Sequence, residues 1–393
     1  MNTLSRAKPA APDHHARPAM AAIVGFAAIV PAVLMMAPAV ASQLASQLQL
    51  GPVDIGKLFS AELGAMSLAT LPAFFWLPRV NWRNAAWLAV LVFIAANLLS
   101  ATTVSYPLLL GLRFVSALAG GSLMILCLSA AATLPNRDRV YGLWVMGQLA
   151  LGAVGLVAMP SLFARFGIAA CYVGLALLMA LCAPLARCFP QRLQEVTPAS
   201  TVSTYDPRRG RAALGIIATL AFYISLSGVW TFVGHIAVQS GIEPQQSGNI
   251  FAIATLLGVA GAGSASLIGR RLPRSRLLLA GFAMMMAAML LLLHNPALAR
   301  FATAALLFKF SWTFILPFIL ATLADIDHSG KLMNATNLVI GGGLAIGPAL
   351  AGQLIAANGG SLHVLLLLAT LVAALSLALL LALQAPRSIP AHA

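Results

Sequence analysis

Few residues in this chain can do chemistry, and Lys309 is the most telling: a cation about a third of the way into the otherwise almost wholly apolar run 302–323. A lysine near the centre of a membrane helix costs roughly 2.5–3.5 kcal/mol on insertion scales, so such a group faces a polar cavity, a partner charge or the interface. Arg113 lies in a second apolar run, 106–133, and Glu62 enters a third, 56–78. With Asp54 and His235 they make up the ionisable groups at outer and middle depth; the remainder fall in loops. Glu62 and Arg113 sit at similar depth and admit two readings. One is a structural ion pair. The other is a carboxyl that takes up a proton and releases the arginine, because removal from water favours the neutral form of an acid.

Catalysis is not indicated. There is no His-Glu-x-x-His, no Gly-x-Ser-x-Gly and no intramembrane acid pair, so no catalytic residue, metal or cofactor is expected. The four cysteines, Cys127, Cys171, Cys182 and Cys188, lie in or at the ends of apolar segments without Cys-x-x-Cys spacing, and read as packing residues.

Composition sets the medium around these groups. Hydrophobic residues form 61% and charged residues 8% of 393 residues, with mean hydropathy +0.94. A soluble domain carries about a quarter charged residues. This is an all-α polytopic membrane protein. The net charge of +14 does not indicate nucleic acid, because the basic residues are spread over loops rather than clustered on a soluble fold.

Runs near 20 residues, the length that crosses a ~30 Å hydrocarbon core, fall at 20–41, 56–78, 84–102, 106–133, 141–163 and 167–188. After a polar stretch come 213–238, 247–269, 276–294, 299–324, 332–357 and 361–384. The organisation expected is a tail at 1–19, a six-helix bundle at 20–188, a linker at 189–211, a second bundle at 212–385 and a tail at 386–393. A cleaved leader is an alternative for the first run, whose Ala39-Val40-Ala41 resembles a signal-peptidase site. Trp76, Trp82 and Trp87 are expected in the interfacial belt.

Eighteen of the 23 Lys and Arg fall in the tails and the loops sharing their side, against three, Lys57, Arg165 and Arg300, on the other. Loops rich in these residues stay cytoplasmic, so both termini are expected in the cytoplasm and the chain in the cytoplasmic (inner) membrane. The halves read as copies. Leu77-Pro78-Arg79 recurs as Leu272-Pro273-Arg274, and Arg113 recurs as Lys309 one residue out of that register; repeats of this kind build transporters.

On these grounds the chain resembles the major facilitator superfamily of secondary transporters, from the first span to the twelfth. The fourth-helix pattern of that family is similar to Arg113-Phe114-Val115-Ser116-Ala117 with Gly120 and Gly121, where the usual glycine is Ala117. Its glycine-proline pattern is faint in helix 5, at Gly147, Gly152, Gly155 and Pro160. A better copy lies in helix 11, where Gly341-Gly342-Gly343-Leu344-Ala345-Ile346-Gly347-Pro348 with Gly352 is expected to let backbones approach and to interrupt the helix, as a bending element or as tight static packing. The loop after helix 2 lacks the family's acid, and Arg79 and Arg83 are left to dock on helix carbonyls.

The resemblance implies two six-helix halves related by a pseudo-two-fold axis, with helices 1, 4, 7 and 10 lining a central cavity. Arg113 and Lys309 would then face each other across it and favour an organic anion. Trp312 shares the face of Lys309, and helix 7 offers Tyr223, Trp230 and His235 as aromatic and polar wall. His235 is alternatively an outer-end hydrogen-bonding group or a proton carrier. Gating falls to Gly343, Gly347 and Pro348, and to Asp325 and Asp327, which pair with Arg137 or Arg139 across the halves or are simply solvated.

The function expected is proton-coupled secondary transport of a small organic solute by a monomer in the bilayer. Efflux antiport of non-anionic compounds and a non-transporting sensor are the alternatives.

Overall fold

The computed structural model describes residues 16–134, 137–191, 209–269, 271–327 and 331–384. Among them the chain is helical throughout. The first half comprises α1 (Ala16–Ile29), α2 (Ala32–Met35), α3 (Ala37–Gln47), α4 (Pro52–Leu68), α5 (Thr70–Trp76), α6 (Trp82–Thr102), α7 (Tyr106–Thr133), α8 (Arg137–Phe166) and α9 (Ala169–Cys182), which ends in a 3-10 segment, Ala183–Cys188. The second half comprises α10 (Arg209–Gln239), α11 (Pro244–Ile268), α12 (Arg274–Leu291), α13 (Leu298–Ile326), α14 (Lys331–Ala357) and α15 (His363–Gln384). Among the described residues ten helices are long and apolar enough to cross a membrane. The first two spans of the sequence are the broken ones, divided as α1–α2–α3 and α4–α5.

Proline causes the first break. Pro31 and Pro38 have no N–H to give Ala27 and Leu34, so the span turns at 30–31 and again at Met36. It is already helical at the first described residue, Ala16, ahead of the expected position 20. Most of the tail 1–19, the linker core 192–208 and the tail 386–393 lie outside the described residues.

The bundle has two ends. One carries the linker; the other carries the loops at 48–51, 167–168, 240–243 and 358–362. The halves meet along α4 with α14, α8 with α11, and α3 with α10. The cross-half hydrogen bonds among the described residues belong to Ser60, Gln245 and Trp230. They lie from the end opposite the linker to mid-bundle.

Glycines set the depth of the main seam. A Cβ on Gly56 would collide with the Pro348 carbonyl, and one on Gly352 with that of Pro52. Gly343 and Gly347 serve a different neighbour, the backbone of α10 at 220–228. The expected close approach is therefore present, but the helix is not interrupted. α14 runs unbroken through Pro348, and Ser60 explains how. Its hydroxyl donates to the Ala345 carbonyl and accepts the Ala349 N–H at 3.1 Å. A side chain from the other half thus bridges the rung next to the proline.

At the linker end Arg79 Nη1 donates to the Phe75 carbonyl at 2.6 Å and Arg83 Nε to that of Phe189 at 2.7 Å, the carbonyl docking expected. Trp82 is a correction. It is fully buried, with Nε1 donating to the Leu77 carbonyl at 2.9 Å, because opening α6 turns it inward; Trp76 and Trp87 are half-buried.

The seam predicts a contrast among glycines. Gly56→Ala and Gly352→Ala each overpack it at a cost of about 1–3 kcal/mol. The melting temperature of the purified protein falls, whereas Gly111→Ala, which meets nothing within 4 Å, leaves it unchanged.

Candidate functional site

Arg113 on α7 and Lys309 on α13, the fourth spans of their halves, are each 1% exposed. They do not share a cavity; each is enclosed within its own half.

Around Lys309 the partners are aromatic. Its Nζ lies 4.0 Å from the ring centroid of Trp230 and 3.9 Å from that of Trp312. Trp312 reaches it because three residues along a helix return to the same face. Trp230 is fixed from several directions. Phe308 stacks on it at 6.3 Å and 6°, and Phe251 and Trp312 meet it edge-on at 5.8 and 6.1 Å. Its Nε1 crosses to the first half and donates to the Leu34 carbonyl at 2.9 Å. That carbonyl is one to which Pro38 has no N–H to give. No ion pair of Lys309 is found among the described residues.

Arg113 lies among polar groups. Its Nη2 donates to Asn97 Oδ1 at 3.0 Å, and Asn97 donates in turn to Ser116 Oγ and the Phe93 carbonyl, both at 2.8 Å. The guanidinium carbon sits 4.5 Å over the Tyr172 ring. Glu62 Oε1 stands 3.5 Å from Arg113 Nη1, within ion-pair range but beyond a good hydrogen bond. Arg113 Nε and Nη1 find no hydrogen-bond partner among the described residues. A cavity of about 20 Å³, lined by Glu62, Arg113, Pro31 and Leu34 among others, adjoins the pair. This is about the room one water needs.

The remaining expected residues are dispersed. Tyr223 is buried at the α10–α14 seam against Gly343 and touches the Phe222 ring edge-on at 5.2 Å. His235 lies in a separate cleft of about 460 Å³ at the end opposite the linker, with Gln239, Asn295, Ser361 and His363. Asp325 is engaged within its own half by Arg274 at 2.5 Å, not across the halves, because the start of α12 adjoins the end of α13. Arg139 is exposed, Asp327 caps α13 through its N–H, and the side chain of Arg137 lies outside the described residues.

Reading by residue type missed Asn97, Tyr172, Phe251, Phe308 and Ser60. Asn97 carried a signal, a lone amide inside the apolar run 84–102. The aromatic residues carried none, since apolar rings abound in every span.

The sequence profile of the Major Facilitator Superfamily matches residues 20–326. No curated protein matches the sequence. Among solved structures, the nucleoside transporter NupG superposes with TM-score 0.73 at 10% identity, covering 95% of this chain and 100% of that one. A bacterial homolog of the human lysosomal transporter Spinster, inward-facing and occupied, gives 0.71 at 13%, with 95% and 98% covered. The POT family transporter PepTSo gives 0.70 at 12%, with 94% and 97% covered. At these identities the likeness is one of fold.

The indole bond gives a direct test. Trp230→Phe keeps a ring beside Lys309 but leaves the Leu34 carbonyl unpaired, and hydrogen bonds in membrane bundles are worth about 0.6–1.7 kcal/mol. Thermal unfolding of the purified variant is expected to show a loss of that size, and Phe308→Leu, which spares the bond, a smaller one.

Proposed function

The chain belongs to the Major Facilitator Superfamily and is a multi-pass secondary transporter; from that premise we propose that it moves a small organic anion by alternating access, coupled to protons through Glu62. The observation that carries the reading is the pair formed by Glu62 and Arg113: an acid with only 12% of its side chain exposed, 3.5 Å from a buried guanidinium that has donors to spare.

While Glu62 is ionised, the charge attraction ties α4 to α7. A proton on Glu62 removes it. Arg113 is not stranded by that step, because Asn97 and the Tyr172 ring hold it independently. The helix that loses this attraction is α4, which also forms the seam with α14.

Lys309 supports the anionic substrate. An ammonium on aromatic faces gains about 0.5–2 kcal/mol, whereas a hydrogen bond to a charged group is worth about 1.5–3 kcal/mol. An arriving carboxylate or phosphate therefore outcompetes the rings, and Trp230 and Trp312, edge-on to each other, remain as an aromatic corner for the body of the solute. Arg113, enclosed with Glu62, serves coupling rather than substrate in this reading.

Among the described residues the side-chain bonds between the halves, those of Ser60, Gln245 and Trp230, lie toward the end opposite the linker. We take that end as the closed one and the linker end, rich in Lys and Arg, as the cytoplasmic side on which both termini lie.

Flux into proteoliposomes with a panel of organic anions, cations and sugars, with and without a pH gradient, tests both parts. Glu62→Gln is expected to cut gradient-driven accumulation at least about tenfold while counterflow exchange persists; accumulation at the wild-type level would falsify the coupling. Lys309→Ala is expected to weaken anion binding about tenfold, equivalent to 1.4 kcal/mol. Unchanged affinity for every anion, or transport confined to cations, would overturn the substrate class.

A further inference from the structure

At the linker end of the second half, the ends of α10, α12, α13 and α15 enclose a cleft of about 460 Å³, its walls including Arg211, Arg274, Thr322, Asp325 and Gln384. It belongs to neither buried cation, and nothing in the transport reading uses it.

Each arginine is anchored by one contact. Arg211 Nη2 donates to the Leu383 carbonyl in the last turn of α15, where helix carbonyls lack intrahelical donors. Arg274 Nη1 pairs with Asp325 Oδ2 at 2.5 Å. A guanidinium has five donors in a planar fork, so both retain N–H groups for a ligand. Gln384 Nε2 donates to Thr322 Oγ1 at 3.2 Å, which leaves its second amide hydrogen beside them; the Thr322 hydroxyl hydrogen is already given to the Phe318 carbonyl at 2.7 Å.

Among the described lining residues two guanidiniums stand against one carboxylate. α12 also begins here, and its N-terminal dipole adds to the positive potential. Exposed Arg271 and Arg276 lie at the same end. Ile326 and Leu383 complete the lining, so the cleft is both cationic and partly apolar. Its volume lies within the roughly 300–1,000 Å³ of small-molecule sites, more than a bare ion needs.

We propose that this cleft binds a phosphate group, held by the forks of Arg211 and Arg274. A protein in a bilayer meets that chemistry in two forms, the head group of an anionic phospholipid and free phosphate. Basic pockets between membrane helices on the cytoplasmic side hold such head groups, and the apolar side of the cleft suits the glycerol end of a lipid.

Native mass spectrometry and thermal unfolding of the purified full-length protein, titrated with phosphatidylglycerol, phosphatidylcholine or inorganic phosphate, decide the matter. Phosphatidylglycerol is expected to be retained and to raise the melting temperature, and phosphatidylcholine to do neither. If inorganic phosphate alone reproduces the shift, the source is free phosphate and the site stands. Arg211→Gln with Arg274→Gln lowers retention about tenfold, while Arg271→Gln with Arg276→Gln, the same charge loss outside the cleft, leaves it unchanged.

Asp325→Asn, which removes the carboxylate competing for Arg274, raises retention about threefold, and this arm decides should the double variant fail to fold. Equal retention of the two lipids with no effect of phosphate, equal losses in the two arginine pairs, or no gain in Asp325→Asn would overturn the proposal.

Discussion

The architecture depends on a carbonyl that its own helix cannot satisfy. Pro38 has no N–H for the oxygen of Leu34, and a buried backbone carbonyl takes a partner wherever one can reach it. The indole N–H of Trp230 supplies the missing donor from the other half of the molecule. Once that bond fixes the ring, Phe308 stacks on it and the Lys309 ammonium settles 4.0 Å from its centroid. A proline in the first span thus positions the buried cation of the tenth.

The second cross-half bond follows the same logic. Pro348 weakens the ladder of α14, and the Ser60 hydroxyl enters the adjacent rung from α4. Both contacts join a proline-bearing helix to a polar donor across the seam. Such bonds suit a surface that must part. A hydrogen bond is worth only about 1 kcal/mol net because water replaces it when the seam is hydrated, whereas apolar surface exposed by the same opening has no such substitute. The glycines at 56 and 352 add close backbone contact without large side chains to extract.

How much of this was legible depended on the kind of signal. Span positions were readable because hydropathy over some 20 residues is decided by the solvent, and the spans fell within a few residues of the runs. The pairing of Lys309 with Trp312 was readable because helix periodicity fixes it. The shared cavity for Arg113 and Lys309 was not. Equal depth in two homologous helices says nothing about rotation, and Arg113 turns toward Asn97 and Tyr172 inside its own half. Likewise the pairing of Asp325 with Arg274 depends on which helix ends adjoin, a tertiary fact. The breaks in the first span were available in Pro31 and Pro38, but a reading that scores average hydropathy passes over them.

The placement of Ser60 and Glu62 carries the synthesis furthest. Two residues apart, they are turned about 200° around the helix axis, so α4 presents the hydroxyl to one half and the carboxyl to the other. α4 is accordingly held by hydrogen bonds to α14 and, toward α7, by charge and by the Tyr106 hydroxyl, which donates to the Asp54 carbonyl at 3.1 Å. Of these holds, only the charge depends on a proton. Neutralising Glu62 removes the attraction to Arg113 while leaving the Ser60 bridge to Ala345 and Ala349 intact, so the balance of forces on α4 shifts toward the second half. The arginine stays where Asn97 holds it, and the mobile element under the proposed coupling is the helix that bears the acid.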